Sequence, residues 1–123
     1  MNAEAKNAVF ARRAHRAGDF STAARLYKTA LEENNYDSAV RHDYAVLLMQ
    51  IGQHEDAAEL LEGVSAEERP SLDSMTVLAL CLRRAKRYDE AIVTATRALL
   101  HDPESAIFWF VKGACQHASG DSH

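Results

Sequence analysis

Six histidines and two cysteines are the residues of this chain best suited to chemistry. A metal site or a base-assisted nucleophile needs such residues at fixed spacing, for example two histidines four apart on one helix face with an acid beside them. His15, His42, His54, His101 and His117 form no such pair. His54 replaces an aromatic residue at a turn and reads as packing. His101, near a helix end, complements the helix dipole. Cys81 and Cys115 lack a base at motif spacing, and there is no phosphate loop, nucleophile motif or Cys-x-x-Cys. Acidic pairs such as Glu32-Glu33 and Glu67-Glu68 read as solvated helix faces. The expectation is no enzyme, no cofactor and no metal.

The elements that would position these residues repeat. Ala23, Ala57 and Ala91 stand 34 residues apart. Phe20, His54 and Tyr88 keep the interval, as do Gly18, Gly52, Lys86 and Gly120. A fixed period of this size marks stacked supersecondary units. Ala11, Ala45, Ala79 and Gly113 recur on first helices, and Ala23, Ala57 and Ala91 on second helices. Side chains this small let helices approach closely at a repeated crossing point, while Tyr27, Leu61 and Leu99 fill the gaps beside them.

Each unit reads as a helical hairpin. Unit one covers about 3–36. Ala5, Ala8, Val9 and Ala11 begin its first helix, Gly18 stops it, and a second runs from Phe20 to about Glu33. Unit two covers about 37–70. Its second helix is predicted to carry Ala57, Ala58, Leu60, Leu61 and Val64, weakened near its end by Gly63, with Ser65 and Glu68 as a capping box. Unit three covers about 71–104. Asp102-Pro103-Glu104 then predicts the cap, first-turn proline and first-turn acid of a terminal helix over about 104–118. The whole chain, 1–123, is predicted to be one domain.

The bulk properties agree. The chain is 47% hydrophobic and 26% charged, with only five Gly and two Pro, which favours helix. A net charge of −4 argues against a nucleic-acid partner, which needs a basic surface. The longest apolar run, Ala106 to Val111, is far short of a membrane span. Residues 1–18 lack the apolar core of a signal peptide, and Arg12, Arg13 and Arg16 fall in register with the repeat rather than in a transit peptide. Cys81 and Cys115 occupy equivalent places on neighbouring units, roughly 9 Å apart at helix-packing distance, beyond disulfide reach. They read as reduced small hydrophobes, and a cytoplasmic location is expected.

These residues resemble the tetratricopeptide repeat. Its pattern of first-helix and second-helix positions falls on Asn7, Phe10-Ala11, Ala14, Ala23, Tyr27 and Asn35 in unit one. In unit two it falls on Arg41, Tyr44-Ala45, Leu48, Ala57, Leu61 and Arg69, and in unit three on Met75, Leu78-Ala79, Leu82, Ala91, Ala95 and Pro103. A fourth start falls on Trp109, Lys112-Gly113 and Gln116. Lys112 and Gln116 depart from a pattern that usually packs inward there. The resemblance implies an all-α, right-handed superhelix of antiparallel helix pairs: three full repeats plus the first helix of a fourth. It also implies a non-catalytic adaptor that takes a peptide or helix in a groove lined by first helices.

By that resemblance the groove draws Ala8, Arg12, His15 and Arg16 from unit one and His42, Val46, Met49 and Gln50 from unit two. Unit three adds Asp73, Thr76, Leu80, Arg83 and Arg84, and the last helix adds Phe110, Ala114 and His117. Family members that hold the terminal carboxylate of heat-shock chaperones do so with Lys and Asn. The corresponding places here are Ala8, Arg12, Asp43, Asp73 and Val77, so that mode is not expected. Arg12, Arg16, Arg83 and Arg84 over a floor of Val46, Met49 and Leu80 predict an acidic, partly apolar protein ligand. Ile107, Phe108, Trp109, Phe110 and Val111 are apolar all round a terminal helix, which predicts an oligomer or partner interface. The alternative functions are a homodimerisation module built on that helix, or, on size and fold alone, a small bacterial secretion-type chaperone.

Overall fold

The computed structural model describes residues 3–34, 37–64, 67 and 69–120, with no side-chain account of residues 3–5. The Ser65–Glu68 capping box, the side chain of Ala5 and the repeat position at Asn35 lie outside the described residues. Seven α-helices and no strand are found among those residues: α1 (Ala3–Arg16), α2 (Phe20–Glu33), α3 (Ser38–Gln50), α4 (His54–Leu60), α5 (Leu72–Arg84), α6 (Tyr88–His101) and α7 (Ala106–Ala118).

The turns inside each hairpin explain the period. Asp19 N–H bonds to Ala14 O at 2.9 Å, Gln53 to Leu48 at 2.8 Å and Arg87 to Leu82 at 2.8 Å. Each is the long hydrogen bond of a Schellman C-cap, which needs the preceding residue in the left-handed region. Gly18 (φ 82°), Gly52 (φ 85°) and Lys86 (φ 65°) occupy that place, and Gly120 (φ 85°) holds the fourth. Lys86 is the one non-glycine among the described residues with positive φ. Its Cβ meets the following carbonyl there, at a cost of about 1 kcal/mol. Lys86→Gly is therefore expected to raise the melting temperature by about 4 °C, read by circular dichroism. No gain would mean that the turn is not strained.

The starts of α2, α3 and α5 are fixed by side chains. The carboxylates of Asp19 and Asp37 accept from Thr22 N–H and Val40 N–H, each at 3.2 Å, and Ser71 Oγ accepts from Ser74 N–H at 3.2 Å. Two predicted boundaries need correction. Asp102 does not cap α7. It closes α6, and Ser105 stands at the start of α7 after a turn through Pro103-Glu104. The second helix of unit two also stops early. Leu61 closes it, with Gly63 left-handed at φ 87° two residues on, so α4 has 7 residues where α2 and α6 each have 14. Leu61 is nevertheless buried and Val64 packs on the core, reached from a turn rather than a helix.

Ala11, Ala45 and Ala79 of the first helices and Ala23, Ala57 and Ala91 of the second are fully buried, as crossing points require. Gly113, fourth in the first series, is exposed, and a Cβ there would meet open space. The core forms two clusters. One joins Ala8, Ala11, Ala23, Tyr27, Ala30, Val40 and Leu47. The other runs from Ala45 through Met75 and Cys81 to Phe108, Val111 and Cys115. Tyr44 packs against both and stacks on Tyr27 with ring centres 5.7 Å apart.

Candidate peptide-binding groove

The first helices touch in succession, α1 on α3, α3 on α5 and α5 on α7. Among the described residues the second helices α2, α4 and α6 do not touch one another. A close inner layer and a splayed outer layer curve the stack, with the first helices on the concave side.

At the N-terminal end of this face, Arg12, His15 and Arg16 of α1, Tyr27 of α2, and Asp43, Val46 and Gln50 of α3 line an open cleft of about 380 Å³. Five of the groove residues expected from sequence thus come together: Arg12, His15, Arg16, Val46 and Gln50. His15 ties three helices. Its Nε2 lies 2.6 Å from Gln50 Oε1 and its Nδ1 3.0 Å from Tyr27 Oη. With the Gln50 oxygen accepting, Nε2 carries the hydrogen and Nδ1 accepts from the Tyr27 hydroxyl. The ring also meets Phe20 and Tyr27 edge-on.

Arg12 donates from Nε to Asp43 Oδ2 at 2.5 Å. That hydrogen bond raises the Arg12 pKa above its ordinary value, with burial opposing. The predicted cation is therefore already paired with a carboxylate of the next unit. Arg16, one helical turn on, has no ion-pair partner among the described residues. Burial, followed by the field of Asp43, pushes the Tyr27 hydroxyl up to about 12.

The remaining expected residues lie outside this cleft. His42 belongs to a neighbouring cleft with Asp43, Asp73 and Ser74, where its Nδ1 lies 2.9 Å from Ser74 Oγ. Arg83 and Arg84 line a third cleft with Lys86, Tyr88, Ala114 and Ala118 at the C-terminal end. The Arg83 guanidinium sits 5.1 Å from the Phe110 ring centre. Met49 and Leu80 are half-buried on the core between the ends. Ala8 is not a groove residue, because it is buried in the first cluster.

The expected terminal interface is narrower than its five residues. Successive helix positions turn by about 100°, so Phe108, Val111 and Cys115 share one face, and all three are buried. Phe108 and Val111 are thus core and not surface, and Ile107 is half-buried. Trp109 and Phe110 remain 53% and 54% exposed. Lys112 lies over the Trp109 ring at 5.4 Å, and the indole N–H bonds to Pro103 O at 2.8 Å. Cys81 and Cys115 are free and buried, and burial pushes the Cys81 thiol up to about 11.

Several cleft residues were not assigned to the groove from sequence, among them Asp43, Tyr27 and Ser74. Tyr27 reads as a gap-filling aromatic, although its hydroxyl signals that a buried tip needs a partner. Ser74 reads only as a residue of the α5 first turn. No group of three or more metal-binding side chains is found among the described residues, and none of their helices is long and apolar enough to cross a membrane.

Several solved structures share this fold. A crystal structure of MamA superposes with a TM-score of 0.87 at 20% identity, covering 95% of this chain. The chain spans 64% of that MamA chain. The first TPR of Spaghetti, bound to the HSP90 peptide SRMEEVD, gives 0.81 at 12% identity, covering 95% of this chain and 93% of that one. The Sgt2 TPR domain from Aspergillus fumigatus gives 0.78 at 18% identity, with 99% and 82% covered. No curated protein sequence matches. A family model described as tetratricopeptide repeat matches residues 14–81, more than half of the length. With that match over in-phase hairpins whose left-handed turns and buried alanines recur every 34 residues, the chain belongs to the tetratricopeptide repeat family.

Proposed function

We propose that the protein is a non-catalytic scaffold whose concave face binds an acidic, partly apolar segment of a partner protein. The observation that carries this reading is the layout of one face. Arg16 stands in the cleft at one end and Arg83 and Arg84 in the cleft at the other, with Val46, Met49 and Leu80 half-buried between them. Arginine forks suit carboxylates, and an adaptable methionine suits an apolar side chain. The first TPR of Spaghetti holds a peptide, SRMEEVD, that is itself acidic toward one end. A cytoplasmic setting belongs to the same reading.

Labelled peptides of equal length, one rich in Glu and Leu and one rich in Lys and Leu, test it by fluorescence anisotropy at low salt. The acidic peptide is expected to bind about tenfold more tightly, with the preference shrinking as salt rises. Equal affinities would sink the proposal. A second reading, self-association, draws on the exposed Trp109 and Phe110 rings. A strict monomer in sedimentation at high concentration would remove it.

A further inference from the structure

We infer that Asp43 is a built-in counter-anion that sets the specificity of the N-terminal cleft, turning away ligands with a single carboxylate and admitting those with several. This rests on the reading of the concave face as a peptide site and goes on to name its ligand class. Asp43 and Arg12 come from neighbouring units, meet at 2.5 Å and line the same cleft. Both side chains stay about one-third exposed, 31% and 33%, so a ligand can reach the guanidinium. An incoming carboxylate must either displace Asp43 or sit within a few ångströms of it. Two like charges that close weaken binding by about tenfold.

The influence of Asp43 reaches the other side of the cleft. After burial, its field raises the Tyr27 hydroxyl more strongly than Arg12 or Arg16 lowers it. The Arg12 charge is thus opposed by its own partner inside the cleft. Arg16 remains, one turn along α1, and a single contact with an exposed arginine is weak. A ligand gains affinity only by presenting further carboxylates to Arg16 and to the distant pair Arg83 and Arg84. The chain therefore favours an acidic run over a lone acidic group.

The experiment compares wild type with Asp43→Asn, an isosteric change that keeps an acceptor for Arg12. The probes are labelled Leu-containing peptides carrying one glutamate, four glutamates or four lysines. The one-glutamate peptide is expected to bind about tenfold more tightly to the variant, while the lysine peptide weakens. Arg12→Gln in the Asp43→Asn background should erase the gain. Opposite movements for opposite charges are not produced by a merely structural change, and matching helical spectra control for folding. Unchanged affinity for the one-glutamate peptide, with wild type still preferring the four-glutamate peptide, would overturn this assignment alone. Failure of wild type to distinguish acidic from basic peptides would overturn the groove reading and this assignment together.

Discussion

Tyr27→Ala is expected to cost about 4 kcal/mol and to melt the first hairpin. The ring is fully buried, sits at the centre of the first cluster and stacks on Tyr44, the residue that joins this cluster to the second. Its removal leaves a cavity between α1, α2 and α3 and takes away the hydroxyl that His15 uses. Tyr27→Phe keeps the ring and loses only that bond, so about 1 kcal/mol is expected. Chemical denaturation followed by circular dichroism separates the two. Equal losses would show that the hydroxyl, and not the ring, holds the hairpin. The same residue predicts alkaline behaviour. The folded Tyr27 pKa is raised from 10.0 to about 12, so the folded state holds its proton more tightly. The resulting stability is fully present below pH 10 and is lost as the pH rises toward 12. Tyr27→Phe should flatten this alkaline loss.

Phe108→Ala is expected to cost 3–5 kcal/mol, the range for a buried phenylalanine, and to release the terminal helix. Phe108 is 2% exposed and shares its face of α7 with Val111 and Cys115. That face is what α7 offers to α5 and α6. The buried thiols supply the readout. In wild type they are sheltered, and burial disfavours the reactive thiolate at both Cys81 and Cys115. In the variant, thiol-reactive reagents should modify them far faster at neutral pH. Unchanged labelling would mean that α7 stays docked without its anchor.

The architecture was legible in the sequence because the 34-residue period is written in small side chains at crossing points and in residues at left-handed turns. Both are dictated by backbone geometry, which leaves little choice of residue. The early end of α4 was harder to read. Leu61 and Val64 keep helical spacing, and their side chains reach the core from a turn just as a helix would place them. Asp102 was misplaced because a residue closing one helix and a residue opening the next look alike when two or three positions separate them.

Half of the groove was legible for a different reason. The resemblance to the tetratricopeptide repeat implies which first-helix positions face the groove, so Arg12, His15 and Arg16 could be grouped with Val46 and Gln50. It does not tell which side chains meet between helices. The Arg12–Asp43 pair and the Tyr27–His15–Gln50 chain are relations of that kind, set by side-chain reach across the inter-helix gap. The inner face of α7 was likewise hidden, since an apolar stretch such as 107–111 carries no polar residue to mark its outward side.

The chain has a single tryptophan, and it stands at one end of a linear array. Half in solvent, roofed by Lys112 and tethered to Pro103, its indole senses the terminal helix and little else. Emission is thus a local gauge. It will register α7 leaving its seat while staying blind to the first hairpin, so an optical melting curve taken at that wavelength describes one end of the molecule and not the whole.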